Sequence, residues 1–378
     1  MAAPARPRDD ELAAYLALSQ VPGIGAVRLR TLVAAFGSAG GALVAPQGAL
    51  AALPGFGPAA AAAVRGARRR TGEEIVEALE RVGAAVILPG DAGYPPLLAE
   101  IGEPPAALYV WGDAGLLARP AAALVGSRDH SPYGAEAARL LASGVARAGV
   151  VVVSGMARGL DGVAHQAALD AGGATVGVLG NGFGVIYPAA NRPLYERVAA
   201  HGCLVTELPP GERPRVSTFP RRNRIIAGLA GVTVVIEAAV GSGALITADC
   251  ALDQGRSVLA VPGPITSPTS TGCNKLIQQG AKPALAVGDL LEELGLVAPA
   301  ADSAPVASVP AAAWPADLSG AQRSLCESLG AAPAHVDALV RVTGLDSGDV
   351  LAALTELELR GLVVQRPGMM FQMQNAER

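Results

Sequence analysis

The chain has 378 residues, of which 51% are hydrophobic and 16% are charged, and its formal net charge at pH 7 is -4. The length predicts two or three domains rather than one, and the negative charge excludes a uniformly cationic coat for nucleic acid, so any phosphate binding must come from a local patch or from backbone amides. Charges, glycines and prolines interrupt every apolar run before it reaches the length of a membrane helix, and no signal peptide is evident at the N-terminus. We expect a soluble, cytoplasmic protein with no membrane contact.

Residues 1–85 predict a small helical domain. Short amphipathic helices are broken by two similar turns, VPGIG at Val21–Gly25 and LPGFG at Leu53–Gly57. These turns resemble helix-hairpin-helix elements, whose glycine amides can hold a phosphate without reading sequence. An auxiliary DNA contact and a purely structural helical domain are equally compatible with this pattern.

A series of short apolar runs predicts an α/β fold over residues 86–296. Each run is followed by a glycine-rich turn and a stretch with helical periodicity, an alternation typical of parallel strands covered by helices on both faces. We therefore predict a Rossmann-like, doubly wound sheet, to which residues 86–111 add an extension. The predicted strands are Ala122–Val125, Val150–Val153, Thr175–Leu179, Cys203–Thr206, Val232–Ile236 and Ser257–Val261.

Three loops that follow predicted strands are unusually small and polar. The binding crevice of a doubly wound sheet lies at the carboxyl ends of its strands. Glycine lets a backbone approach a ligand closely, and amides at a helix N-terminus attract anions. One such loop would be ascribed to a tight turn alone, but three at one edge favour a phosphate-binding rim. The candidate residues are Gly126, Ser127, Arg128, Ser154, Gly155, Arg158, Asn181, Tyr187, Asn191 and Arg192.

The segment Gly211–Arg224 carries the densest positive charge, with five arginines against one glutamate. It predicts an extended loop that leads into a helix. Arginines at a helix start oppose the helix dipole, so we expect a bound anion to compensate them; a solvated basic loop is the alternative. The candidates for DNA binding here are Phe219, Arg221, Arg222, Asn223 and Arg224.

Aromatic residues make up only 3% of the chain, yet Phe183, Tyr187 and Phe219 fall on or beside these loops. Interleaved rings and cations suit single-stranded nucleic acid, because bases stack on the rings while arginines follow the phosphates. Core packing is the alternative role for each ring.

One more glycine-rich turn, Gly241, Ser242 and Gly243, opens a helix after the fifth predicted strand. It resembles a nucleotide-phosphate loop, but Ile246 stands where the third glycine of the dinucleotide motif belongs. We interpret it as a further phosphate contact rather than as a dinucleotide site.

The sequence lacks the patterns of a metal or catalytic centre. The four cysteines and four histidines are scattered without the spacing of a zinc site. The lysines, Lys275 and Lys282, do not follow glycine, which excludes a P-loop. Asp161 and Glu237 have no evident partner for two-metal chemistry, and Asp161 is equally explained as a helix cap. We expect no catalytic residue, no metal and no cofactor.

The C-terminal part predicts a tethered winged helix. Residues 297–318 are rich in alanine, proline and serine, a composition that cannot build a packed core. Residues 319–378 predict three helices, the second starting at Ala334, and a two-stranded wing. The third helix, Asp346–Arg360, carries four acidic residues against one terminal arginine, whereas helices that read a major groove present basic or amide side chains. We predict that this domain contacts protein and does not read duplex DNA.

Several long motifs resemble the DNA-processing protein A (DprA/Smf) family of bacteria. The resemblance runs from Tyr94 to Leu294 and, more loosely, through both flanking domains. It implies a sterile-alpha-motif-like N-terminal domain, a central extended Rossmann domain and a C-terminal winged helix. The motifs are SGMARGLD at Ser154–Asp161, FPRRNRIIAG at Phe219–Gly228, GSGALIT at Gly241–Thr247, VPG at Val261–Gly263 and GCNKLIQQGA at Gly272–Ala281.

The resemblance also implies a function and some of its residues. Members of the family bind single-stranded DNA in natural transformation (competence), displace or collaborate with single-strand-binding protein and load the recombinase RecA. Arg128 matches a DNA-contacting arginine of the family. The basic residue that some members place after Tyr-Pro is missing, because Ala189 stands there, and we expect Arg192 or the Arg221–Arg224 cluster to replace it. The implied self-association surface, which suggests a homodimer, comprises Lys275, Leu276 and Ile277.

Our leading hypothesis is a non-enzymatic, sequence-independent binder of single-stranded DNA and a recombination mediator, in transformation or DNA repair. It places the guanidinium groups of Arg128, Arg222 and Arg224 along one rim. The alternative is a Rossmann nucleotide-processing enzyme, such as a phosphoribohydrolase or a lysine-decarboxylase-like protein. That alternative is weakened because the PGGxGTxxE loop of those enzymes is replaced by GSGALIT at Gly241–Thr247.

Overall fold

The computed structural model describes residues 7–296, 317–329, 334–366 and 368–373. The chain divides into two compact units, Met1–Ala300 and Ala301–Arg378. Of the predicted tether, residues 297–316 lie outside the described residues.

Six helices open the first unit. Helices α2 and α5 begin directly after the two predicted turns, with Gly25 and Gly57 as their N-cap residues. The helical segment packs on the sheet that follows, because Leu16 of α1 and Ile75 of α6 share an apolar cluster with Tyr109. The helices are α1 (Pro7–Ser19), α2 (Ala26–Phe36), α3 (Ala39–Val44), α4 (Gln47–Ala51), α5 (Pro58–Gly66) and α6 (Arg69–Val82).

A nine-stranded sheet forms the centre of the first unit. Its strand order is β1-β2-β6-β5-β4-β3-β7-β8-β9. Neighbours from β6 to β9 are parallel, whereas β1 and β2 add an antiparallel extension at one edge. The strands are β1 (Ala85–Ile87), β2 (Leu108–Gly112), β3 (Ala121–Val125), β4 (Val151–Ser154), β5 (Thr175–Val178), β6 (Cys203–Thr206), β7 (Val232–Val235), β8 (Ser257–Ala260) and β9 (Lys282–Pro283). The six strands predicted from the sequence are confirmed, as is the extension.

Helices cover both faces of this sheet. Successive strand residues point to opposite faces, so Ala122 and Leu124 pack with α8, α9 and α14, while Ala123 and Val125 pack with α11, α12 and α13. Burial on both faces explains why the strands read as unbroken apolar runs. The helices are α7 (Pro96–Ala99), α8 (Pro132–Arg147), α9 (Leu160–Asp170), α10 (Arg192–His201), α11 (Thr218–Gly228), α12 (Gly243–Asp253), α13 (Thr271–Gln278) and α14 (Val287–Glu293).

The second unit is a winged helix. Among its described residues, three helices surround a core that includes Leu325, Leu354 and Phe371. Ala334, predicted to start a helix, instead pairs with Phe371 and adds a third strand to the wing. The elements are α15 (Gly320–Ser328), β10 (Ala334–His335), α16 (Val336–Thr343), α17 (Ser347–Leu359), β11 (Val363–Arg366) and β12 (Met370–Met373).

None of the helices in the described ranges is long and apolar enough to cross a membrane.

Candidate nucleic-acid interface

The candidate site lies at the carboxyl ends of β3, β4 and β5, on one side of the point where the strand order of the sheet reverses. Strand β3 has β4 on one side and β7 on the other, and ligands of doubly wound folds bind outside the carboxyl ends of strands at such a switch point. The loops after β3, β4 and β5, together with the start of α11, enclose a cavity of about 220 Å³. The predicted site residues that line it are Arg128, Gly155, Arg158, Asn181, Tyr187, Phe219 and Arg222.

Arg128 provides an exposed cation at this cavity. Its guanidinium carbon lies 5.8 Å from the centre of the Phe219 ring, within the range of a cation-π interaction. The Tyr187 ring lies beside Phe219, with 5.5 Å between ring centres and 37° between ring planes. No acidic side chain of the described residues forms an ion pair with Arg128. A free positive charge therefore stands next to two aromatic faces.

Two backbone amides of the loop that carries Arg128 already have acceptors within the protein. The Ser127 amide donates to the Glu237 carbonyl at 2.8 Å, and the Asp129 amide donates to the Ser127 hydroxyl at 3.2 Å. The predicted phosphate contact through the Ser127 amide is therefore wrong, because that amide already has an acceptor.

Arg222 is buried and hydrogen-bonded to backbone carbonyls of the protein. Its guanidinium donates to the carbonyls of Gly155 and Val178, which joins the ends of β4 and β5. The buried Asp161 carboxylate compensates its charge. Burial lowers the pKa of the Arg222 guanidinium, and the negative charge of Asp161 opposes that shift. Burial raises the pKa of the Asp161 carboxyl group, and the positive charge of Arg222 opposes that shift. Only part of the Arg222 side chain, 6% of the residue, remains exposed at the cavity.

Arg221 and Arg224 lie on the opposite flank of α11. Both guanidinium groups pair with the Glu207 carboxylate, at 3.0 Å and 2.5 Å. They line a separate cleft of about 560 Å³, shared with the first PGxG turn. The prediction of one rim through Arg128, Arg222 and Arg224 is therefore wrong for Arg224, since a helix sends residues two positions apart in different directions.

The expectation that a bound anion compensates these arginines is also corrected. Helix α11 starts at Thr218, so Arg221 ends its first turn, and Arg222 and Arg224 lie beyond that turn. The protein's own carboxylates, Glu207 and Asp161, supply the compensating charges.

Three polar residues of the predicted rim hold loops in place. The Ser154 hydroxyl is buried and donates to the Leu124 carbonyl at 2.6 Å, so its predicted contact with DNA is wrong. Asn181 is 1% exposed, and its amide donates to the Val185 carbonyl at 2.7 Å. The Asn191 amide donates to the Met156 carbonyl at 3.0 Å.

The remaining predicted residues lie around or away from the cavity. Arg158 lines it but pairs with Asp129 at 2.9 Å. Arg192 is exposed at the start of α10 and does not line the cavity. The turn of Gly241, Ser242 and Gly243 does not line it either: the Ser242 hydroxyl caps α12, and Asn223 donates to the Gly243 carbonyl at 3.1 Å. Gly126 lies on the loop of Arg128 and does not line the cavity.

The predicted self-association residues differ in exposure. Lys275 is exposed and Ile277 is half-buried, whereas Leu276 is 9% exposed and packs in the core of the sheet. Leu276 is therefore held inside its own unit, and the surface available there is narrower than predicted.

Sequence reasoning missed several residues of the site. Met156 and Tyr195 line the cavity, and the Tyr195 hydroxyl donates to the Tyr187 carbonyl at 2.9 Å. Glu207 pairs with two arginines, Arg221 and Arg224. No local signal marks these residues, because each acts through a neighbour that is distant in sequence.

Within the described ranges, no group of three or more histidine, cysteine or acidic side chains could hold a metal ion. Burial raises the pKa of all four cysteine thiols, which favours the protonated thiol over the nucleophilic thiolate.

Family models match most of the chain. The model described as DNA recombination-mediator protein A matches residues 85–295, and the DprA winged helix domain matches residues 309–369. Protein Smf of Synechocystis sp. is 34% identical over 96% of this chain and 99% of its own length. The putative DNA processing protein DprA of Mycobacterium tuberculosis is 41% identical over 80% of this chain and 81% of its own length.

Two solved structures are similar to this one. DNA processing protein A from Streptococcus pneumoniae has a TM-score of 0.66 and 33% identity, and the match covers 75% of this chain and 97% of that one. DNA processing protein A from Helicobacter pylori, described for its unique single-stranded DNA binding mode, has a TM-score of 0.51 and 27% identity, with coverage of 56% and 95%.

Proposed function

This chain belongs to the DprA/Smf family of DNA recombination mediators, and on that premise we propose that it binds single-stranded DNA without sequence preference and mediates recombination rather than catalysing a reaction. The family places it in DNA processing. We further propose that it acts in natural transformation or DNA repair, that it loads RecA onto the strand, and that it displaces or collaborates with single-strand-binding protein there.

The arrangement of Arg128, Phe219 and Tyr187 carries the proposal. A strand that enters the cavity would meet one uncompensated guanidinium for its phosphates and two ring faces for its bases. Stacking on protein rings contributes about 1–3 kcal/mol per base and tolerates any base, because every base has a π face. The relative from Helicobacter pylori, described for its single-stranded DNA binding mode, supports the same ligand class here.

The polar groups around the cavity support binding without sequence preference. Base identity is read by hydrogen bonds to base edges. The amides of Asn181 and Asn191 donate to backbone carbonyls, and the guanidinium of Arg158 pairs with Asp129. These side chains are thus engaged within the protein, which leaves charge and stacking as the main contributions to affinity.

The central experiment is a gel-shift series with single- and double-stranded oligonucleotides of several sequences across a range of salt concentrations. We expect a clear preference for the single strand, similar affinity for all sequences, and affinity that falls as salt rises, because bound phosphates release counterions. Equal affinity for the duplex, or a single preferred sequence, would contradict the proposal.

A second assay tests mediation and a third tests the alternative of a Rossmann enzyme. The protein should accelerate RecA filament assembly on oligonucleotides coated with single-strand-binding protein, and Arg128→Ala should lose that effect. A nucleoside-monophosphate hydrolysis assay should show no turnover; turnover that exceeds the background would revive the enzyme alternative.

We also propose that the protein forms a homodimer through a surface that includes Lys275 and Ile277. Sedimentation over a range of protein concentrations should show a dimer, and Lys275→Glu should shift the equilibrium towards the monomer. A wild-type protein that sediments as a monomer at all concentrations would refute this part.

A further inference from the structure

A single residue, Glu237, holds both ends of the loop that carries Arg128. At one end its backbone carbonyl accepts a hydrogen bond from the Ser127 amide at 2.8 Å. At the other end its carboxylate accepts from the Ser131 amide at 2.9 Å and from the Ser131 hydroxyl at 2.6 Å. The three residues between these anchors, 128–130, are exposed. The position of Arg128 therefore depends on Glu237.

The Glu237 carboxylate is buried without a cationic partner. Glu237 is 2% exposed, and no basic side chain in the described part of the chain forms an ion pair with it. A buried charge needs hydrogen bonds to replace its hydration. Ser131 supplies two of them at the start of α8, where the helix dipole also favours an anion, and the Thr269 hydroxyl supplies another at 3.0 Å.

Two glycines leave room for the contacts that hold the loop, because a side chain at either position would clash with them. A Cβ atom at Gly134 would lie 2.3 Å from the Glu237 Oε2 atom, so any side chain there would displace the carboxylate. On the other side of the loop, a Cβ atom at Gly159 would lie 2.4 Å from the Ser127 carbonyl oxygen, and the Leu160 amide donates to that oxygen at 3.1 Å. The loop is thus held between α9 and Glu237.

We propose that Glu237 is a positioning residue for single-stranded DNA: it keeps Arg128 over Phe219, where the guanidinium can meet a phosphate beside a stacked base. The inference rests on the proposed function and adds a residue to it. For the change in DNA affinity when the Glu237 charge is removed, this inference predicts the opposite sign to simple electrostatics. A negative charge near a polyanion weakens binding, so a role through charge alone predicts tighter binding once the charge is removed, whereas a positioning role predicts weaker binding.

The test compares two charge-neutralising variants of the full chain, Glu237→Gln and Asp129→Asn. Asp129 lies on the same loop, but its side chain is 86% exposed and pairs with Arg158 at 2.9 Å. Affinity for a fluorescent oligothymidine is measured by anisotropy at one salt concentration. We expect Glu237→Gln to bind about tenfold more weakly, because glutamine cannot accept from all three donors, and Asp129→Asn to bind at least as tightly as wild type. Unchanged or tighter binding by Glu237→Gln would overturn the inference.

A double-mutant cycle separates positioning from a general loss of structure. In the Arg128→Ala background, Glu237→Gln should change affinity by less than about twofold, since coupled residues are not additive. If the full tenfold effect persists without Arg128, Glu237 does not act through it and the inference is wrong.

Thr269→Val replaces Glu237→Gln as the test variant if thermal unfolding shows that Glu237→Gln does not fold. It removes one donor to the carboxylate without changing any charge, and we expect about a two- to threefold weakening that disappears in the Arg128→Ala background. Wild-type affinity for Thr269→Val would then overturn the inference. If the wild-type protein does not bind the oligonucleotide, the proposed function fails. If the wild-type protein binds and the Glu237 and Thr269 variants bind equally well, the proposed function stands and only this inference fails.

Discussion

The guanidinium carbon of Arg128 lies 5.8 Å above the centre of the Phe219 ring, although the two residues belong to distant parts of the sequence. The ring lies beside a cation that no acidic side chain among the described residues neutralises, in a protein whose net charge is negative. It brings together the two features that a single strand requires, a positive charge and a ring face.

Replacing Arg128 should weaken DNA binding and reduce its salt dependence. Arg128→Ala is expected to lose about tenfold in affinity for a single strand, and the slope of log K against log salt should fall by about 0.7 for each lost phosphate contact. The affinity of Arg128→Lys should lie between those of the wild type and Arg128→Ala, because lysine keeps the charge without the planar group that stacks on the ring. The matched control is Arg147→Ala, which removes the same charge from the end of α8. An equal loss in that control would mean that only net charge matters.

Removing the Phe219 ring should cost binding without a change in the salt slope. Phe219→Ala is expected to lose about 1–3 kcal/mol of binding free energy, the range measured for one stacked base. Phe219→Leu keeps most of the volume against Gly180 but not the π face, so it should lose affinity as well while unfolding at nearly the wild-type temperature. Isothermal titration with an oligonucleotide measures the loss, and wild-type affinity for Phe219→Leu would exclude stacking.

Neutralising Asp161 should destabilise the fold. Asp161→Asn removes the buried negative charge that opposes the effect of burial on the Arg222 guanidinium, and we expect a loss of at most about 3–5 kcal/mol, the cost of removing one partner of a buried charge pair. The free energy of unfolding in urea measures the effect. The control, Asp129→Asn, breaks an exposed pair with Arg158 and should change stability little. Equal stability of both variants would show that the Asp161 charge is not needed for folding.

Stability should fall with acidification because of His165. Burial lowers the pKa of His165 from 6.5 to about 3. The Thr175 hydroxyl donates to the Val152 carbonyl, so the His165 Nδ1 atom must donate to Thr175 Oγ1, at 2.7 Å, and the ring is neutral. Between pH 6.5 and pH 3 the unfolded chain binds a proton that the folded chain does not, so stability decreases as pH falls.

The non-titrating variant His165→Asn isolates this contribution. From pH 7 to pH 5 the wild type should lose about 2 kcal/mol more unfolding free energy than the variant. Urea unfolding at several pH values gives the difference, and parallel pH profiles would show that His165 titrates normally in the folded state.

The winged helix should contribute little to single-strand affinity. Asp349 and Glu358 are exposed on α17, and Arg360 at its end pairs with Asp317 at 3.0 Å. A surface of this charge repels phosphates. Deleting residues 297–378 is expected to change single-strand affinity by less than about tenfold, and a larger loss in a gel shift would contradict the prediction.

The sequence by itself determined the sheet and the loops at its edge. Strands buried on both faces must be apolar throughout, so β3 to β8 could be read directly, and glycine-rich turns marked where each strand ends. Family motifs then indicated single-stranded DNA as the ligand and Arg128 as a contact, because such motifs are local and long.

Only the tertiary structure decided which arginines are free. Arg128, Arg222 and Arg224 are equivalent in a charge count, yet the first is exposed, the second is compensated by Asp161 and the third by Glu207. Which carboxylate meets which guanidinium depends on the approach of loops far apart in the chain and on the direction of side chains around α11. Charge compensation acts over a few ångströms in space, and sequence patterns do not record those distances.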